Sequence, residues 1–381
     1  MVGRRWIALA TALLAIVVAG CAAFPDTGGR DWHEKVEGTG ELGGPPRVPD
    51  PSPSAPPTST QSGDSGDAPA QPSGCIDPDP QVVATCLEPV GAIAVLPDGE
   101  SALVGERATG RVLRVRQGVA PVLVTTIPVD ATGGGGLTGL VLSPAYREDQ
   151  LVYAYITTPS DNRVVKIANG EPPKPVFTGI PRGATHNAGA LGVDPDDLLL
   201  VATGDAGGGA PIGLAGMVLR IDTLGRPAPG NPDPASPVLS TGLTDPRGIC
   251  VDAGQARAWV TDRAGTADVL HLVTPGQLPG ASWRWPDRPG VAGCAADEGS
   301  VVVAETGGAA LFVLRADQNG RFTGTPQTML KDSYGRLAAA SSSPDGLVWL
   351  GTVNKAGGKP VSSDDRVIRI QVNGGGGESR S

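Results

Sequence analysis

The hydrophobic pattern changes character three times along the chain. Trp6 to Ala19 is an almost unbroken apolar run. Residues 45–73 carry almost no large apolar side chain. From Cys75 to Val372, short apolar or alternating runs are separated by Gly, Pro, Asp and Asn, with no amphipathic helical spacing. Period-two runs punctuated by turn residues predict an all-β domain. The runs fall into groups that recur about every 45–60 residues, the spacing of propeller blades. The groups begin at Gly91, Leu137, Ala190, Gly248, Val291 and Leu337. Six groups predict a six-bladed β-propeller over residues 75–372. The last group supplies only three clear runs before the pattern ends. A strand around Val82 to Cys86 would complete it and close the ring, leaving no free sheet edge there.

The first apolar run follows Arg4 and Arg5 and is too short for a spanning helix. It reads as the h-region of a secretory signal over residues 1–20. It ends in Val18-Ala19-Gly20-Cys21, which resembles the lipobox of bacterial lipoproteins. That resemblance implies a lipid on Cys21, with the membrane as a partner. The chain is then expected at the outer face of the cytoplasmic membrane, within the cell envelope. Residues 21–74 are too poor in apolar surface to offset ordering entropy, so a disordered tether is expected there. The tail 373–381 has the same character.

Composition narrows the chemistry. A net charge of −9 argues against a nucleic-acid partner, which needs a basic face. Four cysteines remain besides Cys21, and they allow three pairings. The propeller register favours Cys75–Cys86 at the ring closure and Cys250–Cys294 between the innermost strands of adjacent blades. The spacing and the three histidines speak against a zinc site. The glycine run Gly133 to Gly136 lacks the Lys-Ser/Thr ending of a phosphate loop and reads as a turn.

Several segments carry more specific information. They are Leu96 to Gly105 followed by Glu106-Arg107, Gly133 to Tyr146, Leu151 to Thr157, His186-Asn-Ala-Gly-Ala-Leu191, Thr203-Gly-Asp-Ala-Gly207 and Leu214 to Asp222. In order and content they resemble the soluble quinoprotein glucose dehydrogenases and glucose/sorbosone dehydrogenases. The resemblance runs from about Leu87 to Val372 and thins after the third blade. It implies a central mouth that holds pyrroloquinoline quinone and calcium and takes a sugar. By motif, His186 is the general base and Asp205 orients it. Arg247 and Arg336 are the candidate cofactor-binding residues.

The chain also departs from the family pattern. Gly134 replaces a Glu or Gln, and Ala190 and Ala338 replace arginines. An Arg-Asn-Pro-Gln-Gly motif reads Thr244-Asp245-Pro-Arg-Gly248. Each change removes a polar or cationic contact, which predicts weaker cofactor binding unless Arg247, Arg263 or Lys355 compensates. Three readings follow. The first is a quinone-dependent sugar dehydrogenase. The second is a non-catalytic propeller that binds a ligand or an envelope protein. The third is a calcium-dependent lactonase-type hydrolase built on Asp205, Asp245 and Asp262.

Overall fold

The computed structural model describes residues 74–208 and 212–372. The expected signal peptide, Cys21, the tether up to residue 73 and the tail 373–381 lie outside the described residues. Within them the chain forms six small sheets, each one blade, antiparallel except for a short strand Gly276–Gln277 added parallel to the edge of blade three. Blade one comprises Val90–Val95, Ser101–Glu106, Arg111–Arg116 and Val119–Thr126. Blade two comprises Leu137–Leu142, Val152–Thr157, Asn162–Ile167 and Lys174–Ile180. The inner three strands of the remaining blades begin at Gly189, Pro246, Val291 and Leu337, close to the positions read from the pattern.

Outer strands at Val238–Thr241, Trp283–Trp285 and Gln327–Met329 complete blades three to five. Blade six is completed by Val82–Ala84, which pairs antiparallel with Val367–Ile370. The first strand thus closes the ring against the last one. A bond between Cys75 and Cys86 staples the segment that carries it.

The core lies between blades. Six buried clusters are found, one at each blade–blade contact, the closing one mixing Val83, Leu87 and Trp349 with Ile93, Val104 and Val115. A blade therefore buries both faces, and its second strand is apolar on both. Ser101–Glu106 and Val152–Thr157 are buried at every position. The innermost strands are rich in Gly and Ala and converge on the axis. They leave a narrow neck of about 50 Å³ that separates a cavity of about 290 Å³ at one mouth from one of about 350 Å³ at the other.

Cys250 and Cys294 are bonded across the innermost strands of blades four and five, closing a loop of 44 residues. Loop-closure entropy puts the stabilisation near 4 kcal/mol for this length. Replacing both cysteines by alanine is expected to lower the unfolding free energy by about that much, read from the urea midpoint under non-reducing conditions.

Candidate functional site

The 290 Å³ mouth is built where the innermost strands begin and the second strands end. Its lining includes Arg107, Arg247, Arg263 and Arg336, with Thr138, Thr306, Gly134 and Gly189 between them. Arg107 and Arg263 each directly follow an acidic residue at the end of a second strand. In blade one Glu106 pairs with Val90, and in blade four Asp262 pairs with Pro246, so the two arginines occupy equivalent positions.

Main-chain carbonyls hold these two side chains in place. Arg107 donates from Nη1 to Gly135 O at 2.8 Å. Arg263 donates from Nε to Val291 O at 2.7 Å and from Nη2 to Gly290 O at 3.0 Å. Arg247 is paired with the buried carboxylate of Asp245 at 2.5 Å. Asp262 fixes the turn that presents this pair, accepting the Thr244 and Asp245 amides at 3.0 and 2.6 Å.

Arg336 is different. Its backbone amide bonds Asn354, but its Nε is buried without a partner. Among the described residues only Arg247 of the four is paired with a carboxylate. The cations also oppose one another. Burial and the charge of Arg247 push Arg263 down to about 10 and lower Arg107 as well. Four guanidiniums gathered against their mutual repulsion, with one unsatisfied, form a site built for an anion carrying several charges.

Beside this mouth, two residues before the lining residue Ala188, His186 Nδ1 lies 2.7 Å from Asp205 Oδ1. The same carboxylate oxygen accepts the Gly207 amide at 2.7 Å. With Nδ1 donating to Asp205, Nε2 is left as a lone-pair acceptor. It has no protein partner among the described residues. His186 sits at φ 54, an uncommon conformation for a residue with a side chain. Gly204 lets it sit there, since a Cβ at Gly204 would lie 1.9 Å from His186 O.

The four residues singled out in the sequence are therefore drawn to one end of the propeller, Arg247 and Arg336 in the lining and the His186–Asp205 pair next to it. Of the compensating cations, Arg263 lines the mouth. Lys355 does not, and instead bonds Leu87 O and Glu88 at the ring closure. Arg107 lies in a motif that carries the resemblance, but the sequence reading gives it no role in the site. The signal that could have found it is the shared register of Glu106-Arg107 and Asp262-Arg263.

The departures have structural counterparts. A Cβ at Gly134 would come within 3.2 Å of Arg247 Nη2, so the missing side chain makes room for a guanidinium. Asp245 supplies the partner of Arg247, Ala338 lines the mouth, and Ala190 is buried below it at the neck. The carboxylates of the third reading lie close enough for Asp245 and Asp205 to help burial push Asp262 up to about 6, but each is already engaged. Asp205 is engaged with imidazole, Asp245 with guanidinium and Asp262 with backbone amides. Among the described residues no group of three or more His, Cys, Asp or Glu side chains is placed to hold a metal ion.

Glu305, at the end of the second strand of blade five, is buried, and burial pushes its carboxyl up to about 7, helped by Asp287 and Asp268. Its folded-state pKa is thus raised above the ordinary carboxylate value. The protonated form stabilises the fold, and that contribution is lost as pH rises from about 4.5 through 7. Glu305→Gln should therefore be more stable than the parent at pH 8 by roughly 1–3 kcal/mol and nearly equal at pH 4.5. Thermal melts of both proteins across that window check this.

The comparisons with known proteins point the same way. The sequence profile of the family described as Glucose / Sorbosone dehydrogenase matches residues 87–288. The PQQ-bound aldose sugar dehydrogenase of Streptomyces coelicolor is 33% identical, with a TM-score of 0.71, over 76% of this chain and 96% of that one. A Thermus thermophilus structure described as an oxidoreductase (glucose dehydrogenase) is 30% identical, with a TM-score of 0.69, over 76% and 98%. The soluble aldose sugar dehydrogenase of Escherichia coli, at 18% identity and a TM-score of 0.66 over 76% and 99%, shares the fold. No curated protein matches the chain.

Proposed function

The chain belongs to the glucose/sorbosone dehydrogenase family, and we propose that it is a quinone-dependent sugar dehydrogenase, tethered through a lipid on Cys21 at the outer face of the cytoplasmic membrane. The observation that carries the dehydrogenase reading is the convergence of four guanidiniums, one with a buried and unpartnered Nε, beside a hydrogen-bonded His–Asp pair.

Pyrroloquinoline quinone, the cofactor bound by the Streptomyces enzyme, carries three carboxylates. It fits a mouth lined by four arginines, with the Thr138 and Thr306 hydroxyls between them. Arg107, Arg247, Arg263 and Arg336 would hold it, and when bound it supplies the acceptor for a hydride from a sugar C–H bond. The protein's own part is proton handling and orientation. His186 Nε2 takes the proton of the sugar hydroxyl as the carbonyl forms. Asp205 keeps the proton on Nδ1 and steadies the imidazolium that results. Gly207 holds Asp205 in turn.

The test is calorimetric titration with pyrroloquinoline quinone plus calcium, followed by a dye-linked assay on a panel of aldoses. Micromolar or tighter binding with turnover is expected. No binding at millimolar cofactor would exclude the dehydrogenase reading and leave a non-catalytic propeller.

A further inference from the structure

The outermost strand of blade one, Val119–Thr126, faces solvent along almost its whole length. It exposes Val119, Val122, Leu123 and Val124, and Ile76 is exposed as well. Only three other large apolar residues are comparably exposed among the described residues: Ile212, Leu224 and Val361. Ile76 and Val119 both line a wide cavity of about 650 Å³, with Cys75 and Pro121, so this edge lies where the chain enters the fold. Exposed apolar side chains concentrated along one edge strand mark an interaction surface.

Two features say what covers it. First, the strand is a poor template for another strand. Pro121 removes an amide, and its pairing with Arg111–Arg116 is interrupted twice by register shifts. Proline and bulges are the devices that blunt an edge against strand addition, which leaves the side chains, rather than the backbone, as the adhesive. Second, the chain enters the fold here, at Gly74, 53 positions after Cys21. Anything held at Cys21 is therefore kept at high effective concentration beside this face.

We propose that the outer edge of blade one is a membrane-resting surface. It inserts Val119, Val122, Leu123 and Val124 shallowly into the bilayer that anchors the chain, adding a second signal to the lipid. The inference rests on lipidation of Cys21. Contact through the perimeter of the ring leaves the central mouth open to solutes.

The experiment compares hydrogen exchange of residues 119–126 in three forms of the full chain. These are the lipidated protein in vesicles of phosphatidylethanolamine and phosphatidylglycerol, the Cys21→Ser protein in buffer, and lipidated Val122→Asp/Leu123→Asp in the same vesicles. Mass spectrometry of the first form establishes the lipid independently of docking. Exchange in this segment should be about tenfold slower for the first form than for the second. The double variant should stay on the vesicles and exchange as fast as the free protein. Equal exchange in all three forms, with the lipid present, overturns the proposal. So does slowing in the Cys21→Ser protein that grows with its concentration, which would mean a second copy covers the face. A chain without lipid removes the tether argument, and the proposal falls with it, while docking and dehydrogenase readings are still scored separately.

Discussion

Replacing His186 by alanine is expected to lower kcat for aldose oxidation by about 10³–10⁴-fold while leaving cofactor affinity within a few-fold of the parent. The two readouts separate because the imidazole belongs to the proton path and the guanidiniums belong to the anion site. His186 is bonded to Asp205, whereas the cations are held by other carbonyls and by Asp245. Asp205→Asn should give an intermediate loss, roughly 10²–10³-fold. An amide in that place can turn its NH₂ towards Nδ1, which favours the tautomer with the proton on Nε2. That tautomer cannot accept from a hydroxyl. Steady-state kinetics with cofactor at saturation, together with a separate binding titration, check both variants. Unchanged kcat in His186→Ala would remove the base from the proposed mechanism.

The ring was legible because its strands are short, buried on both faces and repeated. Ala102-Leu-Val-Gly105 and Leu151 to Ile156 show as apolar runs without any alignment. The outer strands of blades three to five were not legible. Val238–Thr241, Trp283–Trp285 and Gln327–Met329 are three or four residues long, and each has at most two buried positions. So short an exposed strand has no alternation to read. The disulfide pairs followed from the ring, since only the closure brings residues 75 and 86 beside blade six, and only blade adjacency joins residues 250 and 294.

The candidate site was half legible. His186 and Asp205 are close in sequence, and each sits in a conspicuous turn motif. The cationic mouth is a non-local object. Arg107 comes from blade one, Arg247 and Arg263 from blade four, and Arg336 from the start of blade six. Compared motif by motif, the alanines at 190 and 338 therefore read as losses. A linear motif does not show that Gly134 opens space for Arg247, or that two acid–arginine dipeptides end equivalent strands.

Arg336 offers the sharpest test of that mouth. Its guanidinium carries charge into a cavity where it opposes Arg263, and its buried Nε has no partner. In the cofactor-free protein this is a burden, since an unsatisfied buried donor costs about 1–3 kcal/mol. Arg336→Ala should therefore melt no lower than the parent, and by this reasoning somewhat higher. With pyrroloquinoline quinone the same change removes a charge-assisted hydrogen bond of about 1.5–3 kcal/mol, a loss of roughly 10- to 150-fold in affinity. Arg247→Ala makes the control. It also weakens binding, but it strands the buried carboxylate of Asp245 and should lower the melting temperature. Opposite stability effects with shared loss of affinity would identify Arg336 as a cation kept for its ligand. An Arg336→Ala protein that binds as tightly as the parent would show that the anion lies elsewhere.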